Sequence, residues 1–440
     1  MFHRSPIQAP LLPRDEAWDW PRVVLGALIL AGCLLRLLDP FYHNPAFHLF
    51  SDPLRHWDNA RMPLAPGPMA LLDPPFFQVW LSIVQKWTLG HPALIAVYAA
   101  TMSLLTPWLW YRFLREMLSS RRLALLGWAL FAWLPSWFDI FGYFMTETLF
   151  LPLLGASLWA TARARRKQST VSFCVMAVLW IFTALTRGIA APIAVVAGFL
   201  VWYRHPLKWR AAAGSTLIAV VILGPLAYRN QTTFGFWSPF GCGWLNEICA
   251  ASGKREINLR FRWGDGSWAY GFRSPSLSYK QFEPLTDWTP VREGAVEVNV
   301  DLKQGARDWQ AAAERTRASA EDLVRFRLEN LALVMAGETW PDSNQQHWTA
   351  RLASSLRWIW APLFVALLVV GAVTWRATLA RPLVPAIIAT WFCVQAVSLL
   401  AINEGRYRKP LEGLLIVQTL IVMDTLRRRP DRLAPAWRCI

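Results

Sequence analysis

Cysteine is scarce in this chain, six residues in 440, and none of the six stands at a zinc-site spacing. Cys33, Cys174 and Cys393 fall inside apolar runs, where a thiol packs as a small hydrophobe. Cys439 is in the tail. A fold stapled by disulfides is therefore excluded. Cys242 and Cys249 share the one long hydrophilic stretch, and a local disulfide between them stays open if that stretch meets an oxidising compartment. The residues before position 22 lack the short apolar core and small-residue cleavage site of a signal peptide. The first apolar run is accordingly expected to stay in place as an anchor. Internal repeats and low-complexity segments are absent too. The hydrophilic loops hold no Asp-x-Asp pair and no His cluster, so they nominate no metal ligands. Dependence on a divalent metal is left undecided, and no other cofactor is indicated.

Charge is also sparse, at 17% of residues, against 55% hydrophobic and 14% aromatic residues with 27 Trp. That is too apolar for a soluble enzyme of this size, and Trp collects where a membrane meets water. The net charge of +16 would suit nucleic acid. Here, though, Arg and Lys punctuate apolar runs and form no single stripe, so membrane lipids are the expected partner and nucleic acid is not. Ten runs approach the length of about 20 apolar residues that a spanning helix needs: 22–38, 92–111, 122–137, 144–162, 171–186, 188–203, 211–228, 354–375, 383–402 and 411–426. The expected fold is an all-α polytopic membrane protein of about ten transmembrane helices, with outer juxtamembrane helices and one outer α/irregular loop domain. Its parts are an N-terminal bundle, 1–228, with a first outer loop at 39–91; a loop domain, 229–353; and C-terminal helices with a basic tail, 354–440.

Short basic loops mark the cytoplasmic side. Arg112, Arg115, Arg121 and Arg122, then Arg163 to Lys167, Arg204 to Arg210, Arg376 and Arg381, and Arg427 to Arg429 all fall on one side if both termini are cytoplasmic. The segment 76–89 is shorter, with Gln78, Gln85 and Lys86 on one side, and reads as an interfacial helix. Within the long loop, 232–288 reads as irregular or short-stranded. The stretch 304–336 reads as helical, with Trp309, Ala313, Thr316, Ala320, Leu323, Leu331 and Val334 near one face. Ser319 with Asp322 would cap a new helix inside it, and Gly337 and Pro341 would end it.

Ionisable groups at membrane-buried helix ends are expensive and often functional. On this topology they collect outside. Asp52 and Asp58 stand in the first loop, in Ser51-Asp52-Pro53-Leu54-Arg55-His56-Trp57-Asp58. Glu147 opens the fourth run, Arg187 lies between the fifth and sixth, and Arg229 and Asn230 end the seventh. Glu404, Arg406, Tyr407, Arg408 and Lys409 join the ninth and tenth. A short outer loop with three cations suggests an anion to hold. Such a set suits group transfer from a phosphate-linked donor: a carboxylate takes a proton from an attacking hydroxyl, and Arg holds the departing phosphate with a planar fork.

Several short motifs in order strengthen this. Ser51-Asp52 follows the first run, with Pro53 where a second acidic residue is usual. Asp73-Pro74-Pro75, Thr146-Glu147, Leu185-Thr186-Arg187, Tyr228-Arg229-Asn230 with Phe234-Gly235 and Gly241-Cys242-Gly243, and Arg406-Tyr407-Arg408-Lys409-Pro410 come next. From about 22 to 429 the chain resembles the GT-C class of membrane glycosyltransferases, in the protein mannosyltransferase and aminoarabinose transferase superfamily. The resemblance implies transfer of a sugar from a polyprenyl-phosphate carrier to a glycan, lipid or protein acceptor at the outer face of the cytoplasmic (inner) membrane. It implies Asp52 as general base, Glu147 as the second carboxylate orienting acceptor or sugar, Arg406 and Arg408 as phosphate ligands, and Arg187 and Arg229 next. Asn230, Tyr407 and Asp58 are expected around the substrate, Asp58 and His56 ranking below Asp52. Trp57, Trp244 and Trp263 are candidates for stacking on sugar or prenyl groups, or interfacial anchors. Two other classes share some of these features. A transporter or lipid flippase would hold its site nearer the bilayer midplane. A scaffold of envelope biosynthesis would use the long loop for docking.

Overall fold

The structure of the chain, a computed structural model, describes residues 20–65, 73–241, 251–252, 257–263, 267–274, 296–301, 306–337, 348–379, 381, 383–400 and 405–428. Each of the ten apolar runs is helical over most of its described residues. In chain order the elements are α1 (Trp20–Tyr42), α2 (Ser51–Asn59), α3 (Pro75–Thr88), α4 (Pro92–Met117), α5 (Arg121–Ala132), α6 (Ser136–Asp139), α7 (Glu147–Lys167), α8 (Thr170–Thr186), α9 (Ala190–Trp202) and α10 (Lys208–Phe234). After the loop domain come α11 (Ala306–Arg315), α12 (Ala320–Ala336), α13 (Trp348–Leu356), α14 (Trp360–Val373), α15 (Trp375–Leu379), α16 (Val384–Leu400) and α17 (Lys409–Arg428). Caps explain several starts. Ser120, Ser169 and Ser319 each accept a backbone N–H three residues on, opening α5, α8 and α12. Pro75 opens α3, where its missing N–H costs nothing.

This is a helical membrane protein, but the count of ten spans does not hold. Among the described residues, four helical stretches are long and apolar enough to cross: Pro21–Phe47, Pro92–Met117, Lys208–Phe234 and Trp348–Val373. A fifth is the pair Arg121–Ala132 and Ser136–Gly142, bent by 61°. The other runs fall short of this length and composition for physical reasons. At 17 and 13 residues, α8 and α9 reach only about 26 and 20 Å at 1.5 Å per residue, short of the roughly 30 Å hydrocarbon core. Arg163, Arg165, Arg166 and Lys167 crowd the end of α7, and α17 carries Glu412 and Asp424. The long helices do present apolar surface outward, as Leu217, Val220 and Val221 of α10 and Val365 and Val369 of α14 show.

The bundle core packs α4 against α7. Trp110 is fully buried and donates Nε1–H to the Leu151 carbonyl at 2.9 Å. Gly155 permits this approach, since a Cβ there would sit 2.6 Å from the Trp110 ring. Arg36 of α1 is buried where α5 ends and the chain bends. It donates to the carbonyls of Ala132 (2.8 Å), Phe131 (2.9 Å) and Trp137 (3.0 Å) and to Ser103 Oγ (3.1 Å). The last carbonyls of a helix have no intrahelical donor, and this cation supplies one. Away from the site, Asp424 of α17 accepts from Ser119 N–H (3.2 Å) and Oγ (2.8 Å) and from Arg381, tying α17 to the α4–α5 turn.

The chain is not purely helical outside the bundle. Strands β1 (Ile257–Trp263), β2 (Ser267–Ser274) and β3 (Val296–Asp301) form a sheet in the order β2-β1-β3, with β1 antiparallel to β2 and parallel to β3. The first two fit the short-stranded expectation; β3 was not foreseen. The helix expected at 304–336 is two helices, and Ser319 does cap the second while Gly337 closes it. Its inward face is set by Phe326, Glu329, Asn330, Leu333 and Val334, so of the expected apolar stripe Val334 is the member fully buried there. The expected interfacial helix is α3, but Gln78 is buried and Gln85 half-buried. Gln78 Nε2 donates to the Asp73 carbonyl (2.8 Å), and Gln85 Nε2 donates to the Trp57 carbonyl. Cys242, Cys249, Trp244 and Glu404, with the Gly241-Cys242-Gly243 motif beyond Gly241, lie outside the described residues, as does the side chain of Trp263.

Candidate functional site

Within the first loop, residues 51–59 fold as α2, and one face of that helix carries the site. Ser51, just before Asp52, holds a left-handed φ of +45°, a conformation that costs a non-glycine residue energy. Asp52 Oδ1 accepts from Arg55 Nη1, and Oδ2 accepts from Arg406 Nη1 at 3.1 Å. Arg55, one turn along, also gives its Nε–H to Asp73 Oδ1 at 3.0 Å. Asp73 is buried, takes Asn59 Nδ2–H on its other oxygen, and has His56 Nδ1 3.1 Å from Oδ1. Positions 55, 56 and 59 share a helix face, so one carboxylate gathers all three. His56, ranked below Asp52, is buried against this carboxylate. Trp57 stacks on Phe144 with centroids 4.2 Å apart, which makes it a packing residue of the bundle.

Burial alone would push both carboxyls up. The Arg55 and Arg406 guanidiniums overcome it at Asp52 and hold its pKa down to about 2. At Asp73, His56 and Arg55 do the same and keep it well below the usual carboxylate range. Both groups are therefore ionised at neutral pH.

The second carboxylate, Glu147, opens α7 and is buried. Its Oε1 accepts from Arg187 Nη1 at 2.6 Å and its Oε2 from Thr146 Oγ at 3.0 Å. Arg187 terminates α8 with an extended backbone. The two halves meet on Tyr407, in a 3-10 turn (Gly405–Arg408) just before α17. The Arg187 Cζ lies 4.7 Å and the Arg406 Cζ 5.2 Å from the Tyr407 ring centroid. Asp52, Arg406, Tyr407, Arg187 and Glu147 thus form one continuous row drawn from four separate segments.

Other expected members lie elsewhere. Arg408 is buried away from the row: Nε donates to Glu412 Oε1 (2.8 Å), and Nη1 to the carbonyls of Val334 and Gly337 (3.0 Å each). Lys409 is likewise buried, donating to the Ser136 carbonyl at 2.8 Å. Arg229 and Asn230 sit inside α10, which runs to Phe234 and ends on Gly235 at φ +77°. Arg229 clasps the first loop through the Leu64 carbonyl (2.6 Å), and Asn230 holds the Ser238 carbonyl (2.7 Å). Asp58 faces out, paired with Arg61 at 3.3 Å. Arg55 and Asp73 join the site, and Glu412 the buried pair with Arg408, without having been expected in those roles, although Asp73 stands in the Asp73-Pro74-Pro75 motif. Their signals were an Asp–Arg pair at i,i+3, the acidic residue before Pro74-Pro75, and an Arg–Glu pair at i,i+4.

Among the described residues, no three His, Cys, Asp or Glu side chains come together as metal ligands. What the row can do chemically is hold an anion and move a proton. It offers cations at fixed separation around one aromatic ring, flanked by ionised carboxylates. No family model matches the chain, and no curated protein matches it.

Proposed function

We propose that this protein is a membrane glycosyltransferase that moves a sugar from a polyprenyl-phosphate donor to a hydroxyl acceptor at the outer face of the cytoplasmic membrane. The observation that carries the reading is the row Asp52–Arg406–Tyr407–Arg187–Glu147. In it Asp52 is the base, Arg406 and Arg187 receive the donor phosphate, and Glu147 orients the acceptor or the sugar. The acceptor oxygen bonds to the anomeric carbon as its proton passes to Asp52. The carbon–oxygen bond to phosphate breaks, and its electron pair leaves with the polyprenyl phosphate. Charge growing on that phosphate oxygen is met by the guanidiniums. Arg406 is held by Asp52 before the donor arrives, so the arriving phosphate competes for it and returns basicity to Asp52. Arg408 drops out of the phosphate-binding set, because Glu412 and two carbonyls engage it in the interior. Arg229 serves by holding the first loop.

The placement of the row favours transfer over transport. Glu147 opens α7, Arg187 closes α8 and Arg406 precedes α17, all at helix ends, whereas transporter sites lie near the midplane. The opposite ends carry Arg165, Arg166, Lys167 and Arg427, the pattern of a cytoplasmic face. On this reading both termini are cytoplasmic and the loop domain is outside. The test is sugar transfer by the purified protein from polyprenyl-phosphate hexose, pentose and amino-sugar donors to a hydroxyl acceptor. Transfer that is lost in Asp52→Asn supports the proposal. No transfer from any of these donors, or an Asp52→Asn protein that is folded and fully active, overturns it.

A further inference from the structure

Asp73 has no part in the transfer step, yet it is the most heavily engaged carboxylate of the first loop. It is buried, it stands fourteen to eighteen residues beyond the α2 side chains it holds, and Gln78 fixes its own backbone through the carbonyl. Its Oδ1 takes the Nε–H of Arg55, whose Nη1 goes on to Asp52. A guanidinium can serve two carboxylates at once because its donors are rigidly forked; an ammonium lacks that geometry. A guanidinium tied to two carboxylates has fewer rotamers open to it than one tied to Asp52 without Asp73, so Asp73 narrows the orientations in which Arg55 meets Asp52.

We infer that Asp73 is the positioning residue of this site: it pins Arg55 in the one orientation that bridges it to Asp52, and so sets where the Asp52 carboxylate points. This rests on the reading of Asp52 as the reacting base, but the pinning itself is a property of the loop without substrate. The groups facing Asp52 are Arg55 and His56 from α2 and Arg406 from the turn before α17. Of these, Asp73 holds Arg55 and neighbours His56, while Arg406 reaches Asp52 independently.

The experiment is carboxyl labelling of the purified full-length protein with a water-soluble carbodiimide and an amine, from pH 4 to 7, read by peptide mass mapping. Carbodiimide attacks the protonated carboxyl, and each unit of pKa changes that fraction about tenfold. Asp58, exposed in the same helix, is the internal reference. Asp52 should label far more slowly than Asp58 in the wild type. Asp73→Asn should raise Asp52 labelling about tenfold, Arg55→Ala should do the same, and the double variant should add nothing further. Arg55→Lys should resemble Arg55→Ala, since it cannot fork between two carboxylates. An Asp73→Asn protein that is folded with Asp52 labelling unchanged overturns the inference, as does a full additional effect of Asp73→Asn on the Arg55→Ala background. If Asp73→Asn does not fold, Arg55→Lys decides: protection equal to the wild type overturns the inference, and lost protection upholds it. No sugar donor enters the assay, so it stands or falls apart from the transfer reading.

Discussion

Arg406 and Arg408 stand two residues apart in one turn and belong to two different regions. Arg406 faces the site, where its side chain and that of Asp52 remain 13% and 17% exposed. Arg408 points into the bundle, where it and Glu412 are at 2% and 1%. Each makes an arginine–carboxylate pair of ordinary length. The difference is what else is saturated around it. Arg408 adds two carbonyls from the end of α12, and Glu412 adds the Ser136 hydroxyl, so that region is closed. Arg406 adds the face of Tyr407 and lies where an incoming anion can compete for it. Buried pairs of the first kind hold elements together; half-open pairs of the second kind can exchange a partner.

The largest effect should fall on the open region. Asp52→Asn should lower turnover by about 10²–10⁴, the usual contribution of a general base, without reducing the amount of protein in the membrane. Next comes the closed region. Arg408→Ala strands Glu412 in the interior and should cost about 3–5 kcal/mol of stability, read as a lower unfolding temperature in detergent or failure to accumulate. Arg406→Ala should lower the unfolding temperature by less, because Arg55 still pairs with Asp52. A stable Arg408→Ala protein that loses only donor binding would reverse the two assignments.

Most helix positions were legible in the sequence, because apolar runs bounded by Ser caps, Pro and Gly fix them locally. The number of crossings was not. Runs such as 188–203 look long enough as hydropathy, but the helix they form, Ala190–Trp202, is cut at both ends. Of the site, Asp52, Glu147, Arg187, Arg406 and Tyr407 were read from helix-end charges and do come together. The sequence could not separate Arg406 from Arg408, since only the packing of α12 against the turn decides which one is sealed. Nor could it assign Asp73, whose partners depend on the start of α3 packing against α2.

A smaller effect concerns pH. Asp52 is held below its ordinary value, so its pairing stabilises the fold fully above the ordinary carboxylate range near pH 4 and loses that contribution as pH falls through about 2. The stability difference between wild type and Asp52→Asn should therefore be constant from pH 7 to 5 and shrink below about pH 4. Unfolding midpoints of the two proteins across that range check it. The smallest effect is at Asp58, whose exposed pair with Arg61 is of the kind worth little. Asp58→Asn should change neither turnover nor unfolding, and a clear loss of turnover would extend the open region outward along α2.

The central claim is that Asp52 and the donor phosphate compete for Arg406. Equilibrium binding of a polyprenyl-phosphate sugar to purified Asp52→Asn and Arg406→Ala proteins tests it most directly. The account predicts that Asp52→Asn binds the donor at least as tightly as the wild type, because the Asp52 carboxylate no longer competes for Arg406. It predicts that Arg406→Ala binds about ten- to a hundredfold more weakly, the worth of a charge-assisted hydrogen bond. Equal affinity in all three proteins, or weaker binding in Asp52→Asn than in Arg406→Ala, would contradict it.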